Sequence, residues 1–289
     1  MRAIQYAAPT TVDDAVALLA EHGENARILA GGTDLIVQVR EDGRDTELFV
    51  DAKGIPELTD LTVSADGTTT LGAATPCYEL YGNDQFCMAY PAVVDAARII
   101  GSTGIQGRAS VGGNLCNGSP AGDSVPALYA ADAMVTVQGP KGRREIPVED
   151  VPAGPGRTNL LAGEIAVSIS LPPRAPGSSD AYLRMIPRTE MDIAVVGCGI
   201  NLTLEDGLCT AARVGLGAVA PTVLLVDEAA AALVGSRLDE NAIENAAEAC
   251  QSACNPIDDK RGTVAYRTKV AGVLLKRAAG IAAERAKGV

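Results

Sequence analysis

The chain has 289 residues, room for one large domain or two to three small ones. Hydrophobic residues make up 47% and charged residues 21%, the composition of a globular protein with substantial cores. A net charge of −12 and a pI near 4.6 argue against a nucleic-acid surface and an electrostatic membrane anchor, since both need a basic patch.

Along the chain, "RAIQYAAP" reads as a short strand. Thr11 then opens a helix to about His22, with Asp14 at the third helical position and Gly23 as the stop. "ARILAGGTDLIVQVRE" predicts a strand to Leu29, a glycine turn and an apolar segment, and "ELFVDA" predicts another strand. These make a βαβ-like unit. "LTDLTVSADGTTTLGA" reads as a hairpin turning at Asp66-Gly67. "TPCYELYG" and "PAVVDAARII" are helical, and a long glycine-rich loop follows. "VPALYAADA" resumes as a helix, "MVTVQGPKGRREIPV" as a hairpin and "GEIAVSISLPP" as a strand. "PPRAPGSSD" is the best linker candidate, a cluster of Pro, Gly and Ser. Beyond it, "AYLRMIPR", "IAVVGCGINLTLE" and "CTAARVGLGAV" predict three strands. "DENAIENAAEACQSA" and "TVAYRTKVAGVLLKRAAGIAAERA" then predict helices. Mixed helices and strands in three segments, with no internal repeat, predict an α+β class with units 1–56, 57–175 and 176–289.

Several chemistries lack the residues they need. His22 is the one histidine, so a His-based metal centre or a Ser-His-Asp triad has little material. The seven cysteines contain no CxxC pair and no iron–sulfur or zinc signature. Cys250 and Cys254 lie four apart on a predicted helix and would share a face, with buried thiols the plain reading. No apolar leader and no run of about 18 apolar residues is visible, which predicts reduced thiols in a cytoplasmic protein.

Two glycine-rich turns remain: "ILAGGTDL" (28–35) and "ASVGGNLCNGSPAGD" (109–123). Adjacent glycines can take φ > 0 and leave main-chain N–H groups uncovered, which suits phosphate. Thr33, Ser110, Asn114 and Ser119 add neutral donors. Backbone dipoles can meet a diphosphate without Lys or Arg. A plain tight turn is the competing reading for each. No Walker loop occurs. The GxGxxA string "GLGAVA" (215–220) is followed at once by Pro221, where a dinucleotide fingerprint wants a helix. A β-branched residue at Gly32 or Gly112 is expected to strip a bound cofactor and leave the fold.

Taken in order, "ILAGGTDL", "ASVGGNLCNGSPAGD", "GEIAVSISLPP", "RTEMDIAVVGCGINL" and "CNPIDDKRGTVAYRTKVAGVLLKRA" resemble the FAD-binding medium subunit of the molybdenum hydroxylase family, which includes xanthine dehydrogenase and aerobic CO dehydrogenase. The resemblance spans nearly the whole chain. It implies a vanillyl-alcohol-oxidase (PCMH)-type FAD-binding fold of two α+β subdomains, followed by a C-terminal α+β domain. It implies non-covalent FAD held by Ile28, Leu29, Ala30, Gly31, Gly32, Thr33, Asp34 and Leu35 on one side and by Ala109, Ser110, Gly112, Gly113 and Asn114 on the other. Asp123 matches an acid that holds cofactor hydroxyls, and it can equally cap the helix that follows. Ile100 and Ala166 match positions near the flavin. Arg184 stands where some members carry a Lys. Asp192 belongs to the family pattern and serves either the flavin or the fold.

The resemblance further implies that the molybdenum cofactor and the [2Fe–2S] clusters lie in a large and a small partner subunit, in a dimer of heterotrimers. The chain itself would carry electrons from the clusters to an external acceptor. The cysteine-bearing insert of the 4-hydroxybenzoyl-CoA reductases is absent. A free-standing FAD-dependent oxidoreductase of the same fold is the alternative, and co-purification with partners separates the two. A non-enzymatic nucleotide-binding module is a third reading, separated by an absorption spectrum.

Overall fold

In the computed structural model, residues 3–41 and 45–288 are described. The first unit contains β1 (Gln5–Ala7), α1 (Val12–His22), β2 (Ala26–Leu29), α2 (Leu35–Glu41) and β3 (Leu48–Asp51). Its three strands form a parallel sheet in the order β1-β3-β2. Thr11 Oγ1 accepts from Asp14 N at 3.1 Å, and Asp13 and Asp14 sit at the positive end of α1. Gly23 ends the helix at φ +54°.

The second unit begins with the hairpin β4 (Leu61–Val63) and β5 (Thr69–Gly72). Six short helices follow: α3 (Cys77–Tyr81), α4 (Asp84–Ala89), α5 (Pro91–Ala97), α6 (Thr103–Gln106), α7 (Val111–Cys116) and α8 (Ser124–Ala130). Then come β6 (Met134–Gly139), β7 (Gly142–Pro147), β8 (Pro152–Gly154), β9 (Arg157–Thr158) and β10 (Ile165–Leu171). Five of these strands pair in the order β4-β5-β10-β6-β7. The second glycine-rich stretch is therefore not the bare loop expected from its composition. Ser110 accepts from Gly113 N at 3.0 Å and caps α7, so Gly112 and Gly113 lie inside a helix. Asp123 precedes α8, yet its side chain makes no capping bond. Asn114 Oδ1 does that work, accepting from Ser124 N at 3.1 Å.

The third unit holds β11 (Ser178–Met185), β12 (Val196–Glu205), β13 (Leu208–Gly217), β14 (Leu224–Leu225), α9 (Asp227–Leu233), α10 (Glu240–Ala253) and α11 (Val264–Lys287). Its antiparallel sheet runs β11-β12-β13-β14. Ser178 to Asp180, read as linker, belong to β11. Strand pairing of this segment with Asn201–Thr203 overrides its turn-like composition. The short elements α4, α6, α9 and β14 carry too few residues for a period to show.

Apolar residues gather in three cores. One lies beneath the first sheet and joins Val12, Leu48, Val50 and Ile55 to Leu58, Ala74, Ile165 and Val167, so the first two units share it. Another packs α3–α8 on the five-stranded sheet. The last packs α9–α11 on the C-terminal sheet and is rich in alanine. Gly199 and Gly215 face each other across β12 and β13. A Cβ at either would fall 2.5 Å from Pro126 O, so α8 rests directly on strand backbone. That contact accounts for the glycine at the head of "GLGAVA".

Charged groups tie α5 to the C-terminal unit. Asp180, with no exposed surface, accepts from Ala92 N at 2.8 Å and pairs with Arg174. Arg285 on α11 donates to Asp95 on α5 at 2.8 and 3.1 Å.

Candidate functional site

The two glycine turns close on one cleft of about 280 Å3. β2 delivers the first turn at the edge of the parallel sheet, where the chain leaves the strand and enters α2. Gly32 takes φ +74°, and it is the one glycine of the two pairs in the left-handed region. The others are present for space. A Cβ on Gly31 would lie 2.1 Å from Arg108 O, and one on Gly112 would lie 2.4 Å from Ala73 O. The first turn is thus pressed against the chain leading into α7, and α7 against the end of β5. Gly112→Val is consequently expected to damage the fold as well, contrary to the sequence-based expectation.

Among the described residues, no acceptor takes the backbone N–H of Gly31, Gly32, Thr33, Asp34 or Leu35. Helix hydrogen bonding resumes at Ile36 N, which donates to Gly32 O at 3.1 Å. The residues that carry these donors line the cleft beside Gly112 and Gly113 of α7. Gln38 Nε2 donates to Asn117 Oδ1 at 2.7 Å, bridging α2 to the end of α7. Ile28, Leu58, Ile100, Leu160, Ile165 and Ala166 supply an apolar wall.

Charge in the cleft is sparse. Arg27 and two acids, Asp34 and Glu164, line it. Glu164 turns to Arg144, which donates to both its oxygens at 2.9 and 2.8 Å and helps hold its carboxyl below the usual range. Asp34 lies exposed at the cleft, and partial desolvation raises its carboxyl pKa. Cys116 also lines the cleft, and burial pushes its thiol up to about 11. It stays protonated and is a poor nucleophile.

Fourteen of the predicted positions line this cleft: Ile28, Ala30 to Leu35, Ile100, Ala109, Ser110, Gly112, Gly113, Asn114 and Ala166. Leu29 lies buried behind the first turn. Asp123 and Arg184 stand outside the cleft lining and face each other. Arg184 Nη1 donates to Asp123 at 2.7 Å, and the Tyr182 hydroxyl donates to the other oxygen at 3.2 Å. Burial outweighs the Arg184 charge and pushes the Asp123 carboxyl up to about 6. Asp192 sits beside Arg188 and Arg261 at 3.2 and 3.7 Å and accepts from Ile193 N at 2.8 Å; it is not among the residues lining the cleft. Gln38 and Asn117 were missed. Their spacing from Leu35 and Asn114, three residues in each case, was the signal that places them on the same helix faces.

A cation-poor cleft with a row of free N–H groups and an apolar wall suits a diphosphate joined to flat rings. The FAD-binding domain of the molybdopterin dehydrogenases matches residues 2–174, and the CO dehydrogenase flavoprotein C-terminal domain matches 181–282. The chain belongs to this family of FAD-binding medium subunits. It is 34% identical to the carbon monoxide dehydrogenase medium chain of Afipia carboxidovorans, over 98% of this chain and 97% of that one. It is 28% identical to a putative xanthine dehydrogenase FAD-binding subunit of Escherichia coli, over 98% of this chain and 97% of the relative. A reconstituted CO dehydrogenase from Oligotropha carboxidovorans superposes with a TM-score of 0.94 at 32% identity, covering 98% of this chain and 99% of that one. Quinoline 2-oxidoreductase from Pseudomonas putida gives 0.89 at 25% identity, covering 99% and 98%. The fold is thus α+β, with an FAD-binding domain of the PCMH type and the flavoprotein C-terminal domain behind it.

Proposed function

We propose that this chain holds non-covalent FAD in the cleft between Gly31–Leu35 and α7, and connects the iron–sulfur clusters of a partner to an external acceptor. The run of unpaired N–H groups from Gly31 to Leu35 carries this reading. Those donors, with Gly112 N–H at the head of α7, would bind the diphosphate. Ile28, Ile100 and Ala166 would exclude water from the ring system. Bound FAD would supply the redox chemistry that links the partner's clusters to the acceptor. No side chain of the cleft needs to act as acid or base. Neither glycine turn offers a reactive nucleophile, because Cys116 is held protonated by burial. Bound flavin would therefore remain unlinked.

Among the described residues, no group of three or more His, Cys, Asp or Glu could hold a metal. The clusters and the molybdenum cofactor would accordingly reside in a small and a large partner, in a heterotrimer doubled by symmetry. As structural units we propose 1–56, 57–175 and 176–289, supported by the separate sheets. No described helix is long and apolar enough to cross a membrane. The free cysteines support a cytoplasmic location.

Purification of the assembled complex tests the reading. Acid precipitation should release yellow FAD to the supernatant at one per copy of this chain, with two further subunits present. Flavin that stays with the pellet would refute the unlinked state. Turnover of an organic substrate by this chain alone would favour the free-standing oxidoreductase.

A further inference from the structure

Two cations that do not themselves line the cleft hold carbonyls of the first glycine turn. Lys53 Nζ donates to Ala30 O at 3.2 Å, and Arg108 Nε donates to Gly31 O at 3.2 Å. Lys53 is itself held by Asp51, whose other oxygen accepts from the Tyr6 hydroxyl. Asp51 is buried, while Arg108 is exposed.

A trans peptide is planar, and its C=O and N–H point in opposite directions. Fixing Ala30 O toward Lys53 therefore fixes Gly31 N–H the other way. Fixing Gly31 O toward Arg108 does the same for Gly32 N–H. These are the first two of the five donors that find no acceptor among the described residues. Glycine peptides flip readily, since no Cβ restricts them. Without the two anchors, the donors would sample orientations away from the cleft, and binding would have to order them.

Resting on the FAD reading above, we infer that Lys53 and Arg108 are positioning residues that pre-set the Gly31 and Gly32 N–H groups for a diphosphate. They touch no part of the ligand in this scheme. They act through the peptides and add positive charge behind them.

Deflavinated wild-type complex and its variants, titrated by calorimetry with FAD and separately with ADP, give the test. Arg108→Met carries it, because its side chain is exposed. Lys53→Met also deprives Asp51 of a partner and is the second variant. Arg108→Met should weaken FAD and ADP alike by about tenfold, the scale of one lost charge-assisted hydrogen bond. Arg108→Lys, which keeps donor and charge, should recover most of that loss. The melting temperature of the deflavinated complex should not move with Arg108→Met. Binding of both ligands within twofold of wild type in Arg108→Met would overturn the inference. So would a loss that Arg108→Lys fails to recover and that a lower melting temperature accompanies, since that marks a merely structural role. If wild type itself takes up neither FAD nor ADP, the cofactor assignment fails and this inference falls with it.

Discussion

Replacing Gly31 by alanine adds one methyl group at the seam between the two turns. That Cβ would sit 2.1 Å from Arg108 O, 2.6 Å from Arg108 C and 2.9 Å from Ala109 N, where 3.4 Å or more is ordinary contact. All three neighbours are backbone, so no side chain can swing aside. The turns must part by more than about 1 Å, and overpacking of this kind costs about 1–3 kcal/mol. At somewhat under about 2 °C per kcal/mol for a chain this long, melting should fall by roughly 2–5 °C. Parting the turns also moves the free donors of Gly31 and Gly32 away from Gly112, so FAD affinity should fall by tenfold or more. Differential scanning calorimetry of the deflavinated complex and FAD titration read the two effects separately. Gly104→Ala, where nothing lies within 4 Å of the new Cβ, is the matched control in the same region. Wild-type melting and wild-type FAD affinity in Gly31→Ala would show that the turns are not seated on each other.

Asp180→Ala should cost about 3–5 kcal/mol in thermal unfolding, because it leaves Arg174 without its buried partner and Ala92 N–H without an acceptor. Asp123 predicts an inverted pH effect. Its carboxyl titrates near 6 when folded against 3.8 for its ordinary value, so the folded state binds the extra proton between these limits. Stability from this group therefore rises as pH falls from above 6 towards 4, by on the order of 3 kcal/mol at most. The melting difference between wild type and Asp123→Asn should shift toward wild type over that window, and a difference constant with pH would refute it. Cys116, with its thiol at about 11, should resist iodoacetamide at pH 8 in the native complex, as followed by peptide mass analysis after short exposure.

Much of the fold was written locally. The α1 cap at Thr11, the stop at Gly23, the Asp66-Gly67 hairpin and the long C-terminal helices rest on residue types whose effect reaches only a few positions. So does the pairing of hydroxyl-rich and glycine-rich segments that drew attention to both turns. Short elements escaped for the same reason in reverse: α6 spans four residues and β14 two, too few to show a period.

By itself, the sequence determined that the two turns are chemically alike, poor in cations and rich in small donors. Tertiary structure alone decided why each glycine is there. Gly32 is needed for its backbone angle, but Gly31, Gly112, Gly199 and Gly215 are needed because another segment's backbone arrives within 2.5 Å of where a Cβ would be. Such contacts join residues far apart in the chain, and no local pattern encodes a neighbour's arrival. The same holds for Asp123, which a local reading makes a cap or a hydroxyl ligand. β11 brings the Tyr182 hydroxyl and the Arg184 guanidinium to its two oxygens, a pairing between distant residues that no local pattern shows.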